Sequence, residues 1–166
     1  MKVDTPSWPT HIEVPPGERA GIVDALYRFG AGQDLRDRSL FVSAFSPNAT
    51  LDFTRPARRL GVRIGVFEGR QAIADAVFSA IGPLDTTHTV TNPRVTAYDG
   101  ERAAMFALVE AQHRLRDNHT RHLMLKNIHT VELSKLEHEW VIDRLRIDNV
   151  WHTGDSSVLF PEASAE

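Results

Sequence analysis

The 166-residue chain has no cysteine, which excludes a disulfide framework, thiolate chemistry and any metal site built on cysteine. It has no apolar run long enough to span a bilayer and no basic-then-apolar opening segment, so neither a membrane span nor a secretory signal is expected. An excess of one charge is missing too. Lys and Arg number 19 against 22 Asp and Glu, a net charge of −3, so no electrostatic footprint for nucleic acid is visible. What is present, 42% hydrophobic and 25% charged residues, fits one compact domain with a real core. The missing thiols suit a reducing compartment, and a cytoplasmic location is the expectation.

Four of the nine prolines (Pro6, Pro9, Pro15 and Pro16) crowd into residues 1–17, which therefore read as an extended arm, with Trp8 placed to dock on the body. From Glu18 the spacing turns helical through Ile22, Val23, Leu26, Tyr27 and Phe29, with Gly30 and Gly32 expected to loosen the helix end. A second helix is predicted to carry Leu40, Phe41, Ala44 and Phe45 and to end at Ser46-Pro47-Asn48. A short strand over 50–53 follows. Residues 54–66, rich in arginine (Arg55, Arg58, Arg59, Arg63), read as an irregular or hairpin region, either a solvated loop or a patch for an acidic group. A third helix near 69–81 buries Ile73, Val77 and Ile81.

After Pro83 the period switches to two, with strands over 86–98, 102–116, 119–136 and 140–151. Helices first and a meander afterwards indicate an α+β domain: three N-terminal helices packed on a curved antiparallel sheet, a cone-shaped barrel with a pocket between the layers. The domain spans 18–155, and 156–166 is a tail.

Alternate residues share a strand face, so His113 is in phase with Ala111, Val109, Ala107 and Met105, and Asn127 with Leu123, Leu125, His129 and Val131. Both polar side chains thus face inward from apolar stripes. Asp34 is placed just beyond the glycine-bearing helix end and His88 at the start of the first meander strand. Burying an unpaired polar group costs several kcal/mol, roughly 2–7 for a neutral one. A His88–Asp34 pair removes both costs and makes a general base suited to neutral pH. Taken singly, the same residues also fit a buried structural histidine, a helix-capping aspartate and an asparagine bonded to nearby backbone.

On these residues the chain resembles the scytalone-dehydratase-like branch of the SnoaL-like superfamily, which has the nuclear transport factor 2 cone fold. The family's catalytic set of one Asp and two His looks like Asp34, His88 and His113, with separations of 54 and 25 positions. Its inward Asn looks like Asn127 in Asn127-Ile128-His129, and the ending Trp-His-Thr-Gly-Asp at 151–155 is common among SnoaL-like domains. The likeness covers roughly 18–155. Where the dehydratase holds its catalytic water with two tyrosines, this chain has Gln33 and Phe53. Tyr27 is expected as a replacement phenol.

The resemblance implies a cofactor-independent dehydratase (lyase) or isomerase acting on a small hydrophobic cyclic substrate of polyketide, steroid or terpenoid type. His88, oriented by Asp34, would take a proton from carbon, and His113 with Asn127 would bind the oxygen that gains charge or protonate a departing hydroxyl. Phe29, Phe53, Phe67, Phe78, Val109 and Leu125 are candidates to line the pocket. No cofactor, metal, membrane or nucleic-acid partner is expected, and a homodimer or homotrimer is. His119 and His122, three apart on a strand, point to opposite faces and make a poor chelate despite the eight histidines of the chain. Two rival readings are a non-catalytic binding or dimerisation module of the same fold, and an enzyme of ketosteroid-isomerase or polyketide-cyclase type with Asp34 itself as base.

Overall fold

The computed structural model describes residues 9–161. Trp8, expected to dock, lies outside them. The order is α1 (Pro16–Asp34), α2 (Arg38–Ser43), β1 (Phe45–Asp52), α3 (Thr54–Arg59), β2 (Phe67–Glu68), α4 (Arg70–Ile81), β3 (Leu84–Tyr98), β4 (Arg102–Leu115), β5 (Asn118–Leu136) and β6 (Glu139–Gly154), closed by a 3-10 turn at Ser156–Val158. Six strands make one sheet in the order β2-β1-β6-β5-β4-β3. The long meander β3 to β6 is antiparallel, as its period-two pattern predicts. Among the described residues no helix is long and apolar enough to cross a membrane.

Several expectations are corrected. The sheet is mixed, because β1 runs parallel to β6 with Phe45 opposite Ile142 and Leu51 opposite Leu145. Phe45 therefore opens a strand rather than closing the second helix. Its alternation with buried Ala49 and Leu51, through a register shift at the exposed Pro47-Asn48, fits a half-buried strand better than a helix. The helices number four among the described residues. The arginine-rich stretch supplies the extra one, α3, whose Arg55 pairs with Asp148 at 2.8 Å and whose Arg59 donates to the Asn149 and Val150 carbonyls. Those two arginines tie α3 to β6 and are not a free anion patch.

The longest correction concerns α1. It starts at Pro16, where a proline suits the first helical position, and runs through both glycines to Asp34. Each helical glycine costs roughly 1 kcal/mol relative to alanine, and close packing is what it permits. A Cβ on Gly30 would lie 3.2 Å from the His88 Cβ, and one on Gly32 would lie 2.6 Å from the backbone N and Cα of Phe41. Gly32→Ala is expected to lower stability by about 1–3 kcal/mol, overpacking outweighing the gain in helix propensity. A lower urea midpoint at unchanged slope is the readout, and an unmoved midpoint would mean that α2 yields freely.

The core lies between the helices and the inner face of the sheet. Phe41, fully buried, stands at its centre with Phe29, Phe45 and Phe78 at ring-centroid distances of 5.5, 5.3 and 5.4 Å. Beside it, between the helices and the inner face of β3 to β6, this packing leaves a cavity.

Candidate active site

The site begins with how α1 ends. Arg36 takes a left-handed conformation (φ 58°), Asp37 N–H donates to Gly32 O and Arg36 N–H to Gln33 O, a Schellman arrangement with arginine in the usual glycine place. The Arg36 guanidinium donates to the carbonyls of Gln33, Ile81 and Leu84 and to Thr86 Oγ1, joining the ends of α1 and α4 to the start of β3. This clamp presents Asp34, in the last turn of α1, to β3.

Asp34 is thoroughly engaged there. Its Oδ1 lies 2.7 Å from His88 Nδ1 and accepts from Thr86 Oγ1 at 2.9 Å, while Oδ2 accepts from the His88 backbone N–H at 2.6 Å. Burial pushes the carboxyl pKa up, but the His88 ring and backbone and the Thr86 hydroxyl outweigh it and hold Asp34 below its ordinary value. An ionised Asp34 can only accept, so Nδ1 of His88 carries a proton, and in the neutral ring it is Nε2 that has the free lone pair. The His88 side chain is 5% exposed, and the Phe29 and His113 rings stand steeply inclined to its ring with centroids 6.3 and 6.0 Å away.

The cavity in front of this ring measures about 250 Å³. Its walls are largely apolar, from Phe29, Phe53, Phe67, Val77, Leu125 and Ile147, with Leu159 and Phe160 of the C-terminal segment closing over it. Five polar side chains reach it: Gln33, His88, His113, Asn127 and His129. Of the residues singled out from sequence, the structure thus gathers Gln33, Phe53, His88, His113, Leu125 and Asn127 around one space, with Asp34 behind His88. Three fall elsewhere. Tyr27 is 47% exposed and lies on the outer side of the Asp34–His88 pair, so it brings no phenol to the cavity. Seven residues make about two helical turns, so Tyr27 shares with Asp34 the face of α1 that lies outside the cavity. Val109 is buried in the main core rather than on the cavity wall, and Phe78 packs against Phe41 in that core.

His113 also differs from expectation. Its Nδ1 lies 3.3 Å from Leu123 O, and a carbonyl can only accept, so the proton sits on Nδ1 and Nε2 is an acceptor. Burial, with the nearby His88 second, lowers its pKa to about 4, so it is neutral near pH 7. In this state it receives a hydrogen bond and does not hold negative charge. Asn127 is the donor instead: its Oδ1 accepts from Asn149 Nδ2 at 2.9 Å, which leaves its amide N–H groups for the cavity. Asn149 is itself oriented by the carbonyls of Lys126 and Trp151.

Sequence reasoning missed Thr86, Arg36, Asn149 and His129. Only His129 left a usable sign, its place two residues from Asn127 on the same strand face. The others act through contacts between distant elements. Among the described residues no group of three or more His, Asp or Glu is placed to hold a metal ion.

A cone-shaped α+β layer pair with an inward Asp–His pair defines a class, and the profile of SnoaL-like domains matches residues 17–146. The chain belongs to the SnoaL-like family. It is 28% identical over 160 residues to terrestric acid biosynthesis cluster protein E of Penicillium crustosum, covering 93% of this chain and 97% of the relative. Among solved structures it is similar to a candidate aromatic ring hydroxylase of Novosphingobium aromaticivorans (TM-score 0.77, 20% identity, 89% of this chain and 99% of that one). A candidate scytalone dehydratase of the same organism superposes with TM-score 0.71 at 16% identity, over 83% and 87% of the two chains. The hexachlorocyclohexane dehydrochlorinase LinA-type3 of Novosphingobium barchaimii gives 0.69 at 20%, over 83% and 90%. At these identities the structures establish the cone fold and nothing finer.

Proposed function

We propose that the protein is a cofactor-independent enzyme that removes a proton from carbon in a small hydrophobic cyclic molecule, as a dehydratase-type lyase or an isomerase. The observation that carries this reading is the 2.7 Å contact of His88 Nδ1 with the Asp34 carboxylate, with the opposite edge of the ring facing an apolar cavity. Asp34 fixes the tautomer, Nε2 takes the proton, and the carboxylate stabilises the imidazolium that forms. Asp34 does not line the cavity, which favours the imidazole over the carboxylate as the base. Electrons left on the substrate move onto a conjugated oxygen, and the Asn127 amide donates to it. The neutral His113 receives a substrate hydroxyl at Nε2. His88, once protonated, is then the proton source, either to a departing hydroxyl in elimination or back to another carbon in isomerisation.

Two of the similar structures carry names of this class, a dehydrochlorinase and a candidate scytalone dehydratase, the candidate aromatic ring hydroxylase does not, and the fungal relative belongs to a small-molecule biosynthesis cluster. The test is proton exchange. In D₂O, with a panel of cyclic ketones and β-hydroxyketones, NMR is expected to show loss of the α-proton with wild-type protein and none with His88→Ala. Absence of exchange across the panel, with the fold intact and ligands still bound, would replace the enzyme reading by that of a binding module.

A further inference from the structure

His129 lines the cavity with His88 and His113, yet proton transfer through His88 leaves it without a task. It is 1% exposed, stands on β5 between Ala107 and Ile147 of the neighbouring strands, and has the Phe29 ring 5.9 Å away. Its Nδ1 is enclosed and has no hydrogen-bond partner. An unpaired buried polar atom is a standing cost, and a leucine of similar bulk would fill the place without it. A bare lone pair is also the milder of the two possible defects, since orphaned buried N–H groups are rarer than under-satisfied acceptors. The proton therefore belongs on Nε2, the nitrogen left to meet a ligand.

The cavity then has a polarity. Besides Gln33 of α1, its acceptors, Nε2 of His88 and of His113, come from β3 and β4, whereas Asn127 and His129 donate from one face of β5. Asn127 and His129 are two residues apart on that face, and the Asn127 oxygen is already occupied by Asn149.

We propose that His129 Nε2–H and the Asn127 amide form a two-donor subsite for a single ketone oxygen, so that the ligands of this cavity are ring ketones bound carbonyl-first against β5 beside Phe29. This rests on the carbon-acid reading in one respect, that the same oxygen is the one on which charge collects when His88 removes the adjacent proton. Both donors are uncharged, so the subsite takes a ketone in preference to a carboxylate.

The probes are α-tetralone and tetralin, a ketone and its hydrocarbon counterpart of the same shape. Wild-type protein is expected to bind tetralone the more tightly by ligand-observed NMR. His129→Leu should lower that preference about tenfold, leave tetralin affinity unchanged and fold at least as stably. His129→Gln, which restores a donor, should recover part of the preference. In ¹⁵N-histidine spectra of the wild type, the His129 Nε2 signal should move with tetralone and stay put with tetralin. Failure of tetralone to bind, an equal preference in the Leu variant, or an unmoved Nε2 signal would overturn the subsite. The base is tested separately: His88→Ala should keep the His129-dependent preference while losing α-exchange. Preference without exchange in the wild type would sink the base reading and leave the subsite standing.

Discussion

Asp34→Asn is expected to lower turnover by about 10²–10⁴-fold, close to the loss from His88→Ala, with little change in substrate binding. The asparagine oxygen can still accept from the His88 backbone N–H. Its amide then falls where Oδ1 was, facing Thr86 and His88 Nδ1. An amide N–H donates to Nδ1 and drives the ring proton to Nε2, so the nitrogen facing the cavity becomes a donor and ceases to be a base. Steady-state rates on any substrate found by the exchange screen give the magnitude, and ¹⁵N shifts of His88 give the tautomer. If Asp34→Asn abolished turnover while His88→Ala kept most of it, the carboxylate would be the base and the imidazole its partner.

Acidification below neutrality is expected to destabilise the fold well before the carboxylates titrate. Burial, with the neighbouring His88 second, lowers the pKa of His113 to about 4 and of His129 to about 3, from an ordinary 6.5. Their folded values are depressed, so between about pH 6.5 and pH 4 the unfolded chain binds protons that the folded chain refuses, and stability falls as pH falls. Each such proton is worth about 1.4 kcal/mol per pH unit, so the pair contributes a slope of roughly 2–3 kcal/mol per unit. Asp34, held below its ordinary value, adds a loss of the same sign at still lower pH. Urea midpoints taken from pH 7.5 to 4.5 check this. His129→Leu should remove about half of the slope, and a flat profile in the wild type would show that both rings protonate freely in the fold.

The parts of the molecule legible from sequence are those governed by local periodicity. The four meander strands follow from period-two alternation, and the inward facing of His113 and Asn127 follows from the same phase. Helix α4 was readable from Ile73, Val77 and Ile81. Where local rules conflicted with packing, the local reading failed. Gly30 and Gly32 look like a helix end, but they are contact points for His88 and Phe41, and the helix runs on to Asp34. Phe45 continues a helical spacing, but it pairs with Ile142 nearly a hundred residues later as part of a parallel strand.

Residue types and spacing by themselves determined an α+β cone, a domain without thiol chemistry, and an Asp, two His and an Asn as the polar candidates of its interior. Only the tertiary structure decided how those candidates are wired. It set Tyr27 in solvent, made His113 an acceptor through Leu123 O, made Asn127 a donor through Asn149, and left His129 without a partner at Nδ1. The reason is physical. Periodicity says which face a side chain takes, because strand and helix geometry repeat with the chain. The direction of a hydrogen bond depends on which distant backbone or side-chain atom lies within about 3 Å, and that is fixed by register and packing between elements.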